Sequence, residues 1–385
     1  MRVAFVRGSA GTPWEEPILQ EIKKNGVDAL FFVSKRSDSI QPDLQVTGIN
    51  ARGVDVLNRV INRNAFSRGV EFLFGIHMSD ISSYYFKGID RLREFDLLHL
   101  VDESFLLCHQ ALKTRLPAVM TVWENIPFNP LWESKYPGRR FRESVFKEIS
   151  MFLPVSDTSR KLLKYYGIPE NRIEVVHPGI DPEKFAPDKL AKKAPVDALN
   201  ILGISRIEYF KGISFTLRAL ADLSKTTRNF TYTHIGTGNK HFLSYLEHFA
   251  RRMEIHDHVN FVGPVPYAEI PKYIRNSNLL IMPSIPTFEW EEQMGYALLE
   301  AMSMEVPVIA SDHPSIREVV PENCGFIVPA GNDASICEVL VDAISDPARL
   351  KDIGRNGREH VIRNYNCVST AKRYVEIYDR VTGIS

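Results

Sequence analysis

The chain has 385 residues, 44% hydrophobic and 24% charged, which is the composition of a folded globular protein of two or three domains. Its 47 Lys and Arg balance 47 Asp and Glu, so no global pull toward nucleic acid or an anionic membrane exists and such partners are confined to local patches. The cysteines Cys108, Cys324, Cys337 and Cys367 lack CxxC or Cys/His spacing. They read as buried thiols in a reducing compartment, not as a zinc site.

The opening MRVAFVRGS reads as a buried strand followed by a turn with Gly8 and Gly11. It has no apolar stretch of the kind a secretion signal needs, and no run approaches the roughly 18 residues of a membrane span. A cytoplasmic protein is expected. Further strands are predicted at 29–33, 97–101, 118–123 and 151–155. A second series follows at 199–205, 231–236, 259–263, 279–284 and 307–311. These runs are continuously apolar, as in strands covered on both faces, so the fold class is α/β with two doubly wound, Rossmann-like domains. The Pro- and Lys-rich stretch 181–199 separates the series. The expected division is an N-terminal domain over 1–185, a linker over 186–198, a second domain over 199–362, and a helical segment 363–385 that packs back toward the first. Ligands of doubly wound sheets lie beyond the carboxyl ends of the strands, so two such domains are expected to face each other across a ligand cleft.

The segment WESKYPGRRFRESVFKEIS (132–150) carries Lys135, Arg139, Arg140, Arg142 and Lys147 among aromatics. It suits either an anionic acceptor or peripheral membrane contact through 135–147, or else a solvated face paired with Glu133, Glu143 and Glu148. In GISRIEYFKG (203–212), Arg206 and Lys211 bracket a loop after a strand, and two cations there suit a diphosphate. The glycines of HIGTGNK, Gly236 and Gly238, are a weak signal. His256 and His258 flank Asp257 in what reads as a helix-to-strand turn rather than a metal site.

The richest stretch is EWEEQMGYALLEAM (289–302). Three acids precede Gly295, and Glu300 lies beyond it inside an apolar run. Gly295 opens a helix, and a helix start after a parallel strand is an anion site. Eight residues of helix rise about 12 Å, whereas glycosidase carboxylates stand about 5–10 Å apart. Glu292 and Glu300 therefore either grip two ends of an extended ligand, such as a sugar, a diphosphate and a ribose in a row, or belong to a solvated acidic loop and a core edge.

With these residues in view, EQMGYALLE (292–300) resembles the E-x7-E element of the retaining, nucleotide-sugar-dependent glycosyltransferases of the GT-B fold, "group 1" type. SRIEYFKG, IGTGNK and LLEAMSMEVPVIASDHPSIREVV resemble successive blocks of that family, and TVWEN with PVSDTSRKLLKYYGIPENRIEVVHPGIDPEKF resembles its looser N-terminal half. The resemblance implies that Arg206 and Lys211 neutralise the donor diphosphate and Glu300 holds the ribose. It further implies that Glu292 holds the transferred sugar, and that the backbone of Met294, Gly295, Tyr296 and Ala297 receives sugar and phosphate oxygens. Gly8, Gly11 and Gly236 would line the donor. Family members often carry a His where Trp123 stands; here Glu124 or Asn125 takes over part of that role, or Trp123 is a packing residue. A small residue is also usual where Glu305 stands.

No Asp-x-Asp metal motif occurs, so charge on the leaving diphosphate falls to Arg206, Lys211 and the helix start, and no metal or other cofactor is expected. No GxGxxG follows the first strand, which counts against a nicotinamide-dependent dehydrogenase. The expected partners are a nucleotide-sugar donor and a hydroxyl acceptor that is a glycan, a lipid or a small molecule. The competing classes are a non-catalytic sugar-binding protein and a same-fold epimerase or phosphorylase. Inversion would need a base opposite the leaving group, and only Glu124 offers itself. A diphosphate oxygen on the departing face gives retention instead.

Overall fold

The computed structural model describes residues 1–7, 13–33, 89–102, 105–127, 138–187 and 198–384. They form two compact units, Met1–Gly179 with Cys367–Ser385, and Ile180–Asn366.

In the first unit the order is β1 (Arg2–Arg7), α1 (Glu15–Lys24), β2 (Asp28–Val33), β3 (Leu97–Val101), α2 (Phe105–Ala111), β4 (Ala118–Val122), α3 (Gly138–Glu148), β5 (Met151–Pro154) and α4 (Asp157–Tyr165). The described strands form one parallel sheet in the order β2-β1-β3-β4-β5. β3 and β4 are buried at every residue, as their unbroken apolar runs require. Gly8, Gly11, residues 188–197 of the linker expected over 186–198, and Lys135 lie outside the described residues.

The second unit runs β6 (Leu199–Ile204), α5 (Ile213–Leu223), β7 (Phe230–Ile235), α6 (Lys240–Arg252), β8 (Val259–Gly263), α7 (Ile270–Arg275), β9 (Leu279–Met282), α8 (Tyr296–Ser303), β10 (Val308–Ser311), α9 (Pro314–Val319), β11 (Phe326–Val328), α10 (Asp333–Ser345) and α11 (Pro347–Asn364). Side chains that compete well for backbone amides start its helices: Asn239 accepts from the His241 and Phe242 N–H groups, and Asn332 from that of Ser335. The sheet is parallel in the order β11-β10-β9-β6-β7-β8. From β6 the chain builds outward through β7 and β8, then returns to lay β9, β10 and β11 on the other side. The order thus reverses between β6 and β9, the switch point at which doubly wound sheets bind ligands.

The break at Gly179/Ile180 precedes the expected boundary at 185. The reason is that the Phe185 carbonyl accepts from Ser303 Oγ at 2.8 Å and the Ile180 N–H donates to the Tyr365 carbonyl at 2.8 Å. α11 completes the second unit, and the last helix, α12 (Cys367–Thr382), belongs to the first. Its Ala371, Tyr374, Ile377 and Tyr378 join Ile18, Leu19 and Ile22 of α1 in one apolar cluster. Beneath it lies a buried polar set. His99 places Nδ1 2.6 Å from Tyr378 Oη and Nε2 2.7 Å from Thr121 Oγ1, and stacks on Phe5 at 4.3 Å. Burial pushes His99 down to about 3, so it is neutral. Arg373 and Arg380 of α12 both reach Glu174 at 2.5 Å.

Candidate functional site

Two loops meet beyond the carboxyl ends of β6 and β9. The first, Ser205–Lys211, ends at Gly212 with φ +71°, where any Cβ would collide with the Pro283 carbonyl of the second loop. Glycine therefore allows the loops to press together, and the Ile285 N–H donates to the Phe210 carbonyl at 2.7 Å. This contact carries Lys211 to Glu292. Nζ lies 2.6 Å from Oε2, with Lys211 9% and Glu292 8% exposed. Ser284 Oγ donates to the same oxygen at 2.9 Å, and the ammonium also stands 4.3 Å from the centre of the Trp290 ring. Desolvating two charges costs several kcal/mol unless hydrogen bonds compensate, so such a pair argues for position more than for stability. Arg206 is exposed on the same loop, its guanidinium 5.5 Å from the Phe210 ring, which packs on Trp290 at 4.4 Å.

Glu300 lies on α8, 4% exposed, and accepts from Tyr267 Oη at 2.7 Å. The Tyr267 ring lies under Lys184 Nζ at 3.7 Å. Burial raises the Glu300 carboxyl to about 7, and the Tyr267 hydroxyl and the Lys184 charge restrain the rise. The Tyr267 phenol is pushed up by burial and then by Glu300 itself. Glu292 thus bonds Lys211 and Ser284, whereas Glu300 bonds Tyr267. Gly295 begins α8 at φ +61°, and no side chain caps that first turn, whose amides look outward along the helix dipole. Met294 and Ala297 are buried beside it, and Tyr296 is half-exposed. Gly236 sits where a Cβ would meet the Ser205 carbonyl, so it lets the β7 loop pass the β6 loop.

Arg206, Lys211, Gly236, Glu292, Met294–Ala297 and Glu300 all fall on loops or helix starts of the second unit. Glu124 belongs to the first, just past β4. Its Oε1 accepts from the N–H groups of Asn125 and Ile126 at 3.0 and 2.9 Å, while Asp102 Oδ2 accepts from those of Trp123 and Glu124. On α3, Arg142 is buried over the Tyr166 ring at 4.4 Å and Arg139 pairs with Glu143 at 3.0 Å. Arg142 therefore does not join an exposed basic face, because its guanidinium is consumed in packing. His256–His258 form a single tight turn in which His258 Nδ1 lies 3.0 Å from the Phe230 carbonyl. Among the described residues no cluster of three His, Cys, Asp or Glu side chains could hold a metal ion.

Sequence reasoning missed Ser284, at the start of the loop that carries Glu292, and Tyr267, Lys184, His313 and Ser315, which reach these carboxylates or their loop from other segments of the chain. His313 Nε2 donates to the Ser284 carbonyl at 2.8 Å, and Ser315 Oγ donates to the Glu292 carbonyl at 2.5 Å. The detectable signals were a serine closing the LLIMPS strand and a His-Pro pair after β10.

Residues 187–360 match the family model described as Glycosyl transferases group 1, and residues 18–184 the one described as Glycosyltransferase Family 4. The chain is 27% identical over 239 residues to the amylovoran biosynthesis glycosyltransferase AmsK of Erwinia amylovora, covering 62% of this chain and 58% of that one. It is 29% identical over 233 residues to D-inositol 3-phosphate glycosyltransferase 2 of Catenulispora acidiphila, covering 57% and 53%. The chain thus spans between half and three-fifths of these curated relatives. In fold it is similar to Anabaena HepE, solved in complex with UDP and glucose, with a TM-score of 0.73 at 18% identity, covering 99% of this chain and 100% of that one.

Proposed function

Since the chain belongs to the group 1 glycosyltransferases of the GT-B fold, we propose that it moves a sugar from a nucleoside diphosphate sugar to a hydroxyl acceptor, without a metal ion and with retention of anomeric configuration. The observation that carries this reading is the buried Lys211–Glu292 pair at the switch point. An ammonium has three donors and no acceptor. Glu292 takes one and directs Lys211 into the region where Arg206 and the first turn of α8 also present positive charge. These three meet the two phosphates of the leaving group and stabilise the charge that grows as the glycosidic bond breaks. Glu292, on the other side of Lys211, meets the hydroxyls of the transferred sugar. Glu300 takes the ribose hydroxyls, with Tyr267 donating to it. The UDP and glucose bound by the HepE neighbour fit a donor of this shape.

Retention is favoured by what Glu124 does: its Oε1 is an acceptor in its own turn. The departing phosphate oxygen is then the base for the acceptor hydroxyl, on the face from which the leaving group departs. Proton NMR of the product's anomeric position, run in chelator, tests both points. An α-linked product from an α-linked donor is expected. A β-linkage would contradict retention and make Glu124 the base to examine, and a strict divalent-ion requirement would contradict charge neutralisation by Arg206 and Lys211.

A further inference from the structure

Behind the Lys211–Glu292 pair stands a layer to which the reading above gives no role. The turn after β10, residues 312–315, carries two fully enclosed polar side chains, His313 at 2% and Ser315 at 0% exposure. His313 holds the carbonyl of Ser284, the residue whose hydroxyl bonds the Glu292 carboxylate. Ser315 holds the carbonyl of Glu292 itself. One short turn therefore grips both ends of the loop that delivers the carboxylate. We propose that His313 is the positioning residue for the Glu292 carboxylate, acting through Ser284, with Ser315 fixing the same loop at its far end.

The local chemistry is suited to this. A residue before proline is confined to extended backbone, and Pro314 follows His313, whose φ is −131° and ψ 148°. The backbone from which the ring projects is thus held extended. An imidazole nitrogen that faces a carbonyl acceptor must carry its proton, so Nε2 is a donor in either charge state. The other nitrogen, Nδ1, lies 3.7 Å from Oε1 of Glu291, the residue preceding Glu292, beyond hydrogen-bond reach, so the hold of the ring on the loop is the single Nε2 bond to the Ser284 carbonyl. The consequence reaches the reaction because Lys211 and Glu292 are hydrogen-bonded to one another. A loop displaced by a fraction of an ångström moves the carboxylate, its lysine and the hydroxyl of Ser284 out of alignment together. The signal was present in SDHPSIREVV, but only the fold shows that the histidine turns inward.

The inference rests on the reading of Glu292 as the residue that meets the transferred sugar. In the intact chain, His313→Leu is expected to lower kcat about 10–100-fold while donor KM changes less than about threefold, as for lost alignment at the reacting centre. His313→Gln, whose side-chain amide can donate to the same carbonyl, is expected to recover kcat to within about threefold of wild type. Wild-type kcat in His313→Leu, or a Gln variant no better than the Leu variant, overturns the proposal. Should the Leu variant not fold, Ser315→Ala decides: kcat falling about 3–10-fold at constant KM supports it, and unchanged kcat overturns it. A wild-type chain that turns over no nucleotide sugar overturns the parent reading and this inference with it. That result is distinct because it needs no substitution.

Discussion

Each unit buries a hydrogen-bonded polar group in its parallel α/β scaffold, and the two groups are built on opposite lines. In the first unit His99, Thr121 and Tyr378 are neutral and satisfy one another. The network joins β3, β4 and α12 and makes no demand on anything outside. In the second, Lys211 and Glu292 are charges withdrawn from water at the switch point, backed by Ser284, His313 and Ser315. Glu300 is a buried acid held near the middle of the pH scale. A closed neutral network fixes where a helix docks. A buried charged pair at a switch point is available to a ligand of matching charge.

Substitutions can break this contrast. The largest effect is expected from Lys211→Ala, which should reduce turnover about 10²–10³-fold, as for loss of one preorganised stabiliser of developing charge. It also removes the cation beside the buried Glu292, so rates are to be referred to the folded fraction measured by circular dichroism; an undiminished rate would remove Lys211 from the site. Tyr378→Phe is the counterpart in the first unit. It leaves a His99 nitrogen without its partner and should cost about 1–3 kcal/mol in urea unfolding, with kcat of the folded chain unchanged. A loss of turnover at wild-type stability would erase the distinction.

Next comes pH. Burial raises Glu300 from 4.5 to about 7, so the folded chain binds a proton that the unfolded chain has released. The contribution of Glu300 to stability is therefore full below pH 4.5 and is lost as pH rises through about 7. Ribose hydroxyls bond more strongly to an ionised carboxylate than to a neutral carboxyl, so donor affinity should move the other way, weakening as pH falls below about 7 by at most tenfold per unit. Calorimetric titration from pH 6 to 8 should display this for wild type and a flat profile for Glu300→Gln; identical profiles would place the titration elsewhere. The smallest effect concerns Glu305, held at φ +58° just past α8. Left-handed backbone disfavours a side chain, so Glu305→Gly should stabilise by about 0.5–1 kcal/mol, and a destabilised variant would mean that the Glu305 side chain contributes more than its strain removes.

Ten of the eleven described strands were readable because unbroken runs such as LLHLV and LLIM suit strands covered on two faces, with limits within two residues of the expected ones, whereas β11, three residues long and mostly half-buried at the sheet edge, was not expected. Arg206, Lys211, Glu292 and Glu300 were legible as candidate site residues because each lies within a few residues of a strand end or helix start, where local spacing carries information. The supporting residues were not. Tyr267 reaches Glu300 from 33 positions away and His313 reaches Ser284 from 29, and only the order of strands brings them together. His99 and Tyr378 are 279 residues apart, and nothing local marks either as half of a pair. Arg142 shows the converse failure: its neighbours made it look like a surface charge, while its ring contact with Tyr166 depends on the packing of α3.

The central claim is that the switch point of the second unit holds a nucleoside diphosphate sugar by protein charges alone. Calorimetric titration of the intact chain with UDP-, GDP- and ADP-sugars in excess chelator addresses it most directly. Saturable binding of one of them, weakened in Glu300→Gln, is predicted. Binding that appears only when a divalent ion is restored, or that is unaltered in Glu300→Gln, would contradict it.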